Sequence, residues 1–88
     1  MTLHYPLVVP TDTTPQRRSR AIRDFLFVAR RFAKIDAERI AKVLSSRYAK
    51  VRLENPRFRK LASVSNATVN VYLADIKVTF SDRPTKSN

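Results

Sequence analysis

The feature of this sequence that most limits its fold is the absence of any covalent or metal staple in so short a chain. Its 88 residues include no cysteine and only one histidine, His4. Disulfide-stapled miniproteins and zinc fingers are excluded, because they depend on cysteine or on clustered histidine. A chain of this length buries only about 60–65% of its unfolded surface. We therefore expect one small domain whose modest core gains stability from a bound partner.

The net charge of +11 is concentrated in one part of the chain. Residues 17–60 hold 15 of the 18 Lys and Arg but only four of the seven Asp and Glu, so the whole net charge lies there. Eleven of these 15 cations are arginine, whose guanidinium group pairs with phosphate through two hydrogen bonds and stacks on bases. Since 43% of the residues are apolar, the pattern favours a folded domain that binds nucleic acid.

Several other classes of protein are excluded or disfavoured by what the sequence lacks. It contains no glycine, and therefore no glycine-rich phosphate-binding loop. No nucleophile with a base, no carboxylate pair and no metal site is visible, so we expect no enzymatic activity, no cofactor and no metal. The longest purely apolar run, 25–29, is far shorter than the roughly 20 residues that cross a bilayer, so we expect no membrane segment.

The first half of the chain predicts a strand followed by a helix. Apolar residues alternate in the first segment, and Pro6, which cannot donate to a ladder on both sides, favours an edge strand within 1–15. Thr14 and Pro15 predict a helix start. From 15 to 34 one face carries apolar residues at helical spacing: Ile22, Phe25, Leu26, Ala29, Phe32 and Ala33.

The opposite face of this first helix is basic, and Phe27 lies among its cations. An aromatic ring in a basic face can stack on a nucleobase, pack against a neighbouring protein, or simply be exposed. The basic positions of this face are Arg20, Arg23, Arg30, Arg31 and Lys34.

A second helix is predicted from Asp36, as its N-cap, to about Lys50, with its own apolar stripe. Asn55-Pro56 then punctuates the chain, and strands are predicted at 57–65 and 68–80. Asn66-Ala67 would close them into a hairpin, with Asn66 supplying a positive φ.

The predicted fold class is therefore α+β. Two basic amphipathic helices pack on a small, mainly antiparallel sheet made of the N-terminal edge strand and the C-terminal hairpin. We expect a single domain over 1–88, with 1–15 as edge strand and linker and 81–88 as a polar tail.

Several short motifs resemble the archaeal and eukaryotic large-subunit ribosomal protein thirty-one-e family. Residues 17–23, Arg-Arg-Ser-Arg-Ala-Ile-Arg, resemble the basic start of that family's long helix. Leu-Ser and Tyr-Ala-Lys within 44–50 resemble the family's short second helix. Asn-Pro-Arg-Phe-Arg at 55–59 is similar to the start of its basic strand, 68–74 resembles its last strand, and 78–80 fits an extension of eukaryotic members. The similarity covers about 3–80, and the order and spacing of the motifs carry it.

The chain departs from the family pattern at two positions, with Tyr48 where the family has Trp and Val51 where it usually has Gly. The resemblance implies a cytoplasmic ribosomal component that binds ribosomal RNA near the exit of the nascent-chain tunnel. Implied partners are neighbouring large-subunit proteins and nascent-chain chaperones or targeting factors. The candidate RNA-binding residues are Arg17, Arg18, Arg20, Arg23, Phe27, Arg30, Arg31, Lys34, Arg57, Arg59 and Lys60.

Two other functions are compatible with the same sequence. A small DNA-binding regulator or architectural protein could insert the hairpin of 57–80 into a groove. A partner with an acidic protein surface would use the same cations, but its binding would survive nuclease treatment.

Overall fold

The computed structural model describes residues 1–44 and 48–82. One long helix follows the first strand, and three further strands complete the chain. The elements are β1 (Thr2–Pro10), α1 (Pro15–Leu44), β2 (Tyr48–Leu53), β3 (Arg57–Lys60) and β4 (Val69–Asp82).

The 14-residue strand β4 is the centre of a four-stranded antiparallel sheet. Its first part pairs with β1, from Pro10 opposite Val69 to Thr2 opposite Lys77. On its other edge β4 pairs first with β3 and then, from Val78 onwards, with β2. Every strand thus depends on β4 for its backbone partners.

β1 is an edge strand, as predicted, and its prolines sit where they cost no hydrogen bond. The amide of Val78 donates to the carbonyl of Met1, and that of Thr11 donates to the carbonyl of Thr68. It follows from these contacts that the odd-numbered residues of β1 are the ones whose backbone groups form hydrogen bonds with β4. The nitrogens of Pro6 and Pro10 therefore point away from β4 and block the free edge against further pairing.

α1 begins where the sequence predicts a helix start, but it extends past the predicted end of the first helix. The amide of Arg17 donates to Oγ1 of Thr14, so Thr14 caps the helix and Pro15 is its first residue. The expected break near Asp36 is wrong, because a single helix continues to Leu44. The fold is still α+β, but it has one helix where two were predicted.

Asp36 is tolerated inside the helix because its side chain has a distant partner. The hydroxyl of Tyr5 in β1 donates to Oδ2 of Asp36 over 2.7 Å. Burial, and then the hydrogen bond to the carboxylate, raise the pKa of Tyr5 above its usual range. An aspartate in a helix interior costs under about 1 kcal/mol relative to alanine, which this bond can offset.

The helix meets the sheet along a line of small side chains. Ala29, Ala33, Ala37 and Ala41 recur every four residues and are all buried. Ala29 and Ala33 pack with β4, whose two residues in the same cluster are Ala74 and Ile76.

Beside this alanine line Phe58 of β3 contacts Phe25 edge-on, with ring centres 6.4 Å apart. On its other side Phe58 stacks on Tyr72 at 5.0 Å. Alanines allow the helix axis to approach the sheet closely, so the contact is narrow and aromatic rings fill its sides.

The prediction that Phe32 belongs to the buried face is wrong. Its side chain is 54% exposed, because Phe32 points about 100° away from Ala33 around the helix and misses the narrow contact with the sheet. Val28 and Ile35 are also exposed and share this flank. We call Val28, Phe32 and Ile35 the apolar strip.

The segment predicted as the end of a second helix contains a strand, since β2 begins at Tyr48. β3 ends at Lys60, five residues before the predicted end of that strand, and β4 continues to Asp82. Of the predicted polar tail, Ser81 and Asp82 belong to β4, and 83–88 lie outside the described residues.

The turn before β4 does not use a positive φ at Asn66, since no described residue has one. Instead Oδ1 of Asn66 accepts hydrogen bonds from the amides of Thr68 and Val69, at 2.8 and 2.9 Å, and from the hydroxyl of Thr68. The side chain imitates a backbone turn, which lets a chain without glycine reverse at ordinary dihedral angles.

The bond between Tyr5 and Asp36 joins β1 to α1, and its loss should lower stability. Tyr5→Phe should reduce the free energy of unfolding by about 1–2 kcal/mol in urea titrations. Tyr72→Phe is the matched control, because no described hydrogen bond involves that hydroxyl, and should change it by less than about 0.5 kcal/mol. Strictly additive effects of Tyr5→Phe and Asp36→Ala in the double variant would contradict this coupling.

Candidate nucleic-acid interface

A row of cations runs along one flank of α1. With Phe27 counted between Arg23 and Arg30, successive members are three or four residues apart, or adjacent, and all are exposed. At about 1.5 Å per residue the row extends over roughly 21 Å and ends where the C-terminal third of the helix begins. We call this row, together with Phe27, the helix stripe; its cations are Arg20, Arg23, Arg30, Arg31 and Lys34.

Phe27 lies in the middle of the helix stripe and is 65% exposed. The guanidinium carbon of Arg31 sits 5.8 Å from the ring centre, a cation–π arrangement. A shallow groove beside the ring is bounded by Lys34 on the helix and by Val51 and Leu53 of β2. The ring thus shares a groove with apolar side chains and with cations, which suits a flat, negatively charged ligand such as a nucleotide.

No carboxylate among the described residues lies within ion-pair distance of the helix stripe, although Asp24 and Glu38, four residues after Arg20 and Lys34, lie on the same side of α1. Within 1–44 and 48–82 the ion pairs are His4 with Asp75 and Arg59 with Asp75, and none involves a cation of α1. Asp36, the one half-buried acid of the helix, is bonded to Tyr5 instead. Five cations against these two carboxylates leave the stripe with a net positive charge, and none of the five is held in an ion pair among the described residues.

The predicted cluster at the helix start is divided by the helix geometry. Arg17 lies about 60° from Arg20 around the axis and extends the edge of the helix stripe. Arg18 lies about 160° from Arg20 and is half-buried. The four arginines of the motif at 17–23 therefore do not form one surface, because Arg18 is separated from the other three.

The basic strand is also divided between two sides of the sheet. Phe58 points toward the helix and contacts Phe25, so its neighbours Arg57 and Arg59 point to the opposite face. Lys60, two residues after Phe58, lies on the helix side. The structure thus contains two basic surfaces where the sequence suggested one.

Three cations that sequence reasoning did not select join Arg57 and Arg59 on the outer face. Lys50 and Arg52 alternate with Val51 and Leu53, which border the groove on the helix side. Lys77 lies between two fully buried residues of β4. This alternation was visible in the sequence and could have identified them. We call this set the sheet surface: Lys50, Arg52, Arg57, Arg59 and Lys77.

Asp75 fastens three strands together on the sheet surface. Its carboxylate accepts a hydrogen bond from Nδ1 of His4 in β1 at 2.6 Å and from Nε of Arg59 in β3 at 2.8 Å. These bonds, that of His4 first and that of Arg59 second, hold the pKa of Asp75 below its usual range despite partial burial. Asp75 therefore cross-links the sheet and reduces the positive charge near its centre.

Comparison of the chain with protein-family models, curated proteins and solved structures finds no match. Across 1–44 and 48–82 no helix combines the length and apolar character needed to cross a membrane. The same residues contain no group of three potential metal-ligating side chains among His, Cys, Asp and Glu.

The lowered pKa of Asp75 predicts a specific sensitivity to acid. The carboxylate stabilises the folded chain above the ordinary aspartate pKa of about 4, and this contribution is lost as the pH falls through the lower folded-state pKa. Asp75→Asn should therefore show a smaller loss of unfolding free energy than the original chain between about pH 5 and pH 2.

The matched control is Asp24→Asn, which alters an exposed acid that has no ion pair among the described residues. It should keep the full acid-induced loss in urea titrations at each pH. Equal acid-induced losses in the original chain and in Asp75→Asn would show that the cross-link does not stabilise the sheet.

Proposed function

We propose that this chain is a structural RNA-binding protein, without catalytic activity, that holds folded RNA against the helix stripe. The observation that carries the proposal is a row of five exposed cations over roughly 21 Å, none of which forms an ion pair with a described carboxylate. A helix that presents such a row to solvent has an electrostatic field suited to a phosphate backbone.

Phosphate neutralisation supplies most of the affinity in this proposal. Each contact with a duplex backbone releases counterions and adds roughly 0.9 to the slope of log affinity against log salt. Four of the five cations of the stripe are arginine, which can hold a phosphate through two parallel hydrogen bonds. Recognition then depends on the shape of the RNA, since the stripe offers few groups that could read base edges.

Phe27 adds a contact that a uniform array of cations lacks. Its exposed ring lies at the mouth of the groove between α1 and β2, beside the guanidinium group of Arg31. An unpaired base from a loop or bulge can stack on such a ring while its phosphates meet the neighbouring cations.

The ribosomal part of the proposal rests on the motifs at 17–23, 55–59 and 68–74. In this proposal the chain is a member of the large-subunit ribosomal protein thirty-one-e family and binds ribosomal RNA in the cytoplasm, near the tunnel exit. Nascent-chain chaperones or targeting factors would then be close neighbours. The continuous helix and the early start of β2 are the points at which the chain differs from the family's two-helix pattern.

Neighbouring ribosomal proteins are the second class of partner in the proposal. The apolar strip of Val28, Phe32 and Ile35 is available to such a partner, because it is exposed and centred about 120° from the helix stripe around α1, with Arg31 at the border between the two. A protein could therefore cover apolar side chains while RNA occupies the cations.

The DNA-binding alternative, with the hairpin as a β-ribbon, meets a geometric obstacle. β4 lies between β1 and β3, and its helix-facing residues Ala74 and Ile76 are fully buried. A two-stranded ribbon that enters a groove needs both of its outer edges free. β4 has a partner strand on each edge, so the hairpin cannot enter a groove as such a ribbon, and RNA on the helix stripe is the better-supported function.

Sedimentation of a cell extract tests the ribosomal proposal. The chain should travel with the large ribosomal subunit, and Arg23→Gln with Arg30→Gln should move at least half of it to the top of the gradient, because two phosphate contacts are lost. Arg39→Gln, on the opposite flank of the same helix, is the matched control and should stay with the subunit. Recovery of the original chain only in free or DNA-bound fractions would overturn the proposal.

Phe27→Ala tests the stacking contact. Loss of a stacked base should weaken binding of a looped RNA by about 1–3 kcal/mol while the unfolding transition stays in place. Phe32→Ala removes an equally large exposed ring from the apolar strip and should leave RNA affinity unchanged. If Phe27→Ala also binds RNA normally in a fluorescence titration, the ring is an ordinary exposed side chain or a protein contact.

A further inference from the structure

Basic side chains occur on both sides of the β-sheet. The helix stripe belongs to the layer that covers one face, whereas the sheet surface belongs to the face that α1 leaves open. The strand alternation fixes this division: Phe58 and Leu53 pack toward the helix, so Arg57 and Arg52 project on the other side.

The sheet surface keeps a net positive charge despite the acids near it. Asp75 accepts a hydrogen bond from Arg59, and Glu54 lies in the same hollow as Arg57 and Lys77. Five cations are thus opposed by two carboxylates. Within the described residues Lys50, Arg52, Arg57 and Lys77 have no ion pair, so four cations remain for an anionic partner.

One stiff RNA helix cannot lie along both surfaces. The helix stripe is centred about 90° from the buried alanine line around α1, so its side chains and those of the sheet surface project in roughly perpendicular directions. A nucleic-acid duplex resists bending over lengths far greater than this domain. A duplex on the helix stripe therefore leaves the sheet surface free for another segment.

We propose that this chain bridges two RNA segments, with one duplex on the helix stripe and a second on the sheet surface. This inference rests on the RNA-binding function proposed above and adds a second, separate site to it. The chain then acts as a clamp: a segment held on one side raises the effective concentration of RNA on the other.

Two short RNA duplexes of about one helical turn, one carrying a donor fluorophore and the other an acceptor, provide the test. Energy transfer should appear when the full chain is added near equimolar amounts and should vanish at large protein excess, because each duplex then binds its own copy. Light scattering at each point identifies aggregation, and transfer that always accompanies scattering would overturn the inference.

The decisive variant carries Arg52→Gln, Arg57→Gln and Lys77→Gln on the sheet surface. It should lose the energy transfer while its affinity for a single duplex falls less than roughly tenfold, because the helix stripe is intact. The complementary variant, Arg23→Gln with Arg30→Gln and Lys34→Gln, should also lose the transfer. Circular dichroism and thermal melting confirm that both variants fold.

The possible failures are distinguishable. If the original chain binds one duplex without energy transfer, the bridging inference is wrong and the RNA-binding function stands. If it binds no RNA duplex or looped RNA, both proposals are wrong. If the sheet-surface variant transfers energy as well as the original chain, the second segment is not held by Arg52, Arg57 and Lys77.

Discussion

The rest of the structure depends on the line of alanines that brings α1 onto the sheet. Ala29, Ala33, Ala37 and Ala41 are almost completely buried, and the first two pack directly with β4. This contact fixes the rotation of the helix about its axis. Because four buried residues on one side fix this rotation, they also determine which other side chains of the helix are exposed. The directions of the cations and of Phe27 follow from it.

The charge and the small core of the domain have a common explanation. Clustered cations repel one another and disfavour the compact state, while alanines contribute little apolar area per residue. An RNA that binds only the folded chain removes the repulsion and stabilises the fold by mass action. Under the proposed function, bound RNA would therefore add the stability that disulfides or metals supply in other small domains.

The sequence was sufficient to predict those features that depend only on residues close together in the chain. The Thr14 cap, the edge position of β1 and the exposure of Phe27 follow from alternation and helical period. The prediction of a helix break near Asp36 was wrong because this aspartate was interpreted as an N-cap. The four-residue spacing of the buried alanines continues past Asp36 without interruption. Its true partner, Tyr5, is 31 residues away in the chain and invisible to any local rule.

The division of the cations into two surfaces depends both on a local pattern and on long-range packing. The alternation that separates Arg57 from Phe58 is local, but its meaning depends on knowing that α1 covers the side of Phe58. The prediction of a single basic surface was therefore wrong in how it arranged the cations, more than in which cations it named. Arg18 illustrates the same point, since its position about 160° from Arg20 matters only once the helix is known to be continuous and packed.

The most direct measurement of the central claim is the salt dependence of RNA affinity. For a short structured RNA, replacing Arg23, Arg30 and Lys34 by Gln should lower the slope of log affinity against log salt by roughly 2 to 3. Arg39→Gln, about 160° from Arg23 around the helix, should leave the slope as it is in the original chain. An unchanged slope in the triple variant, with the fold intact, would contradict the claim that the helix stripe holds the RNA backbone.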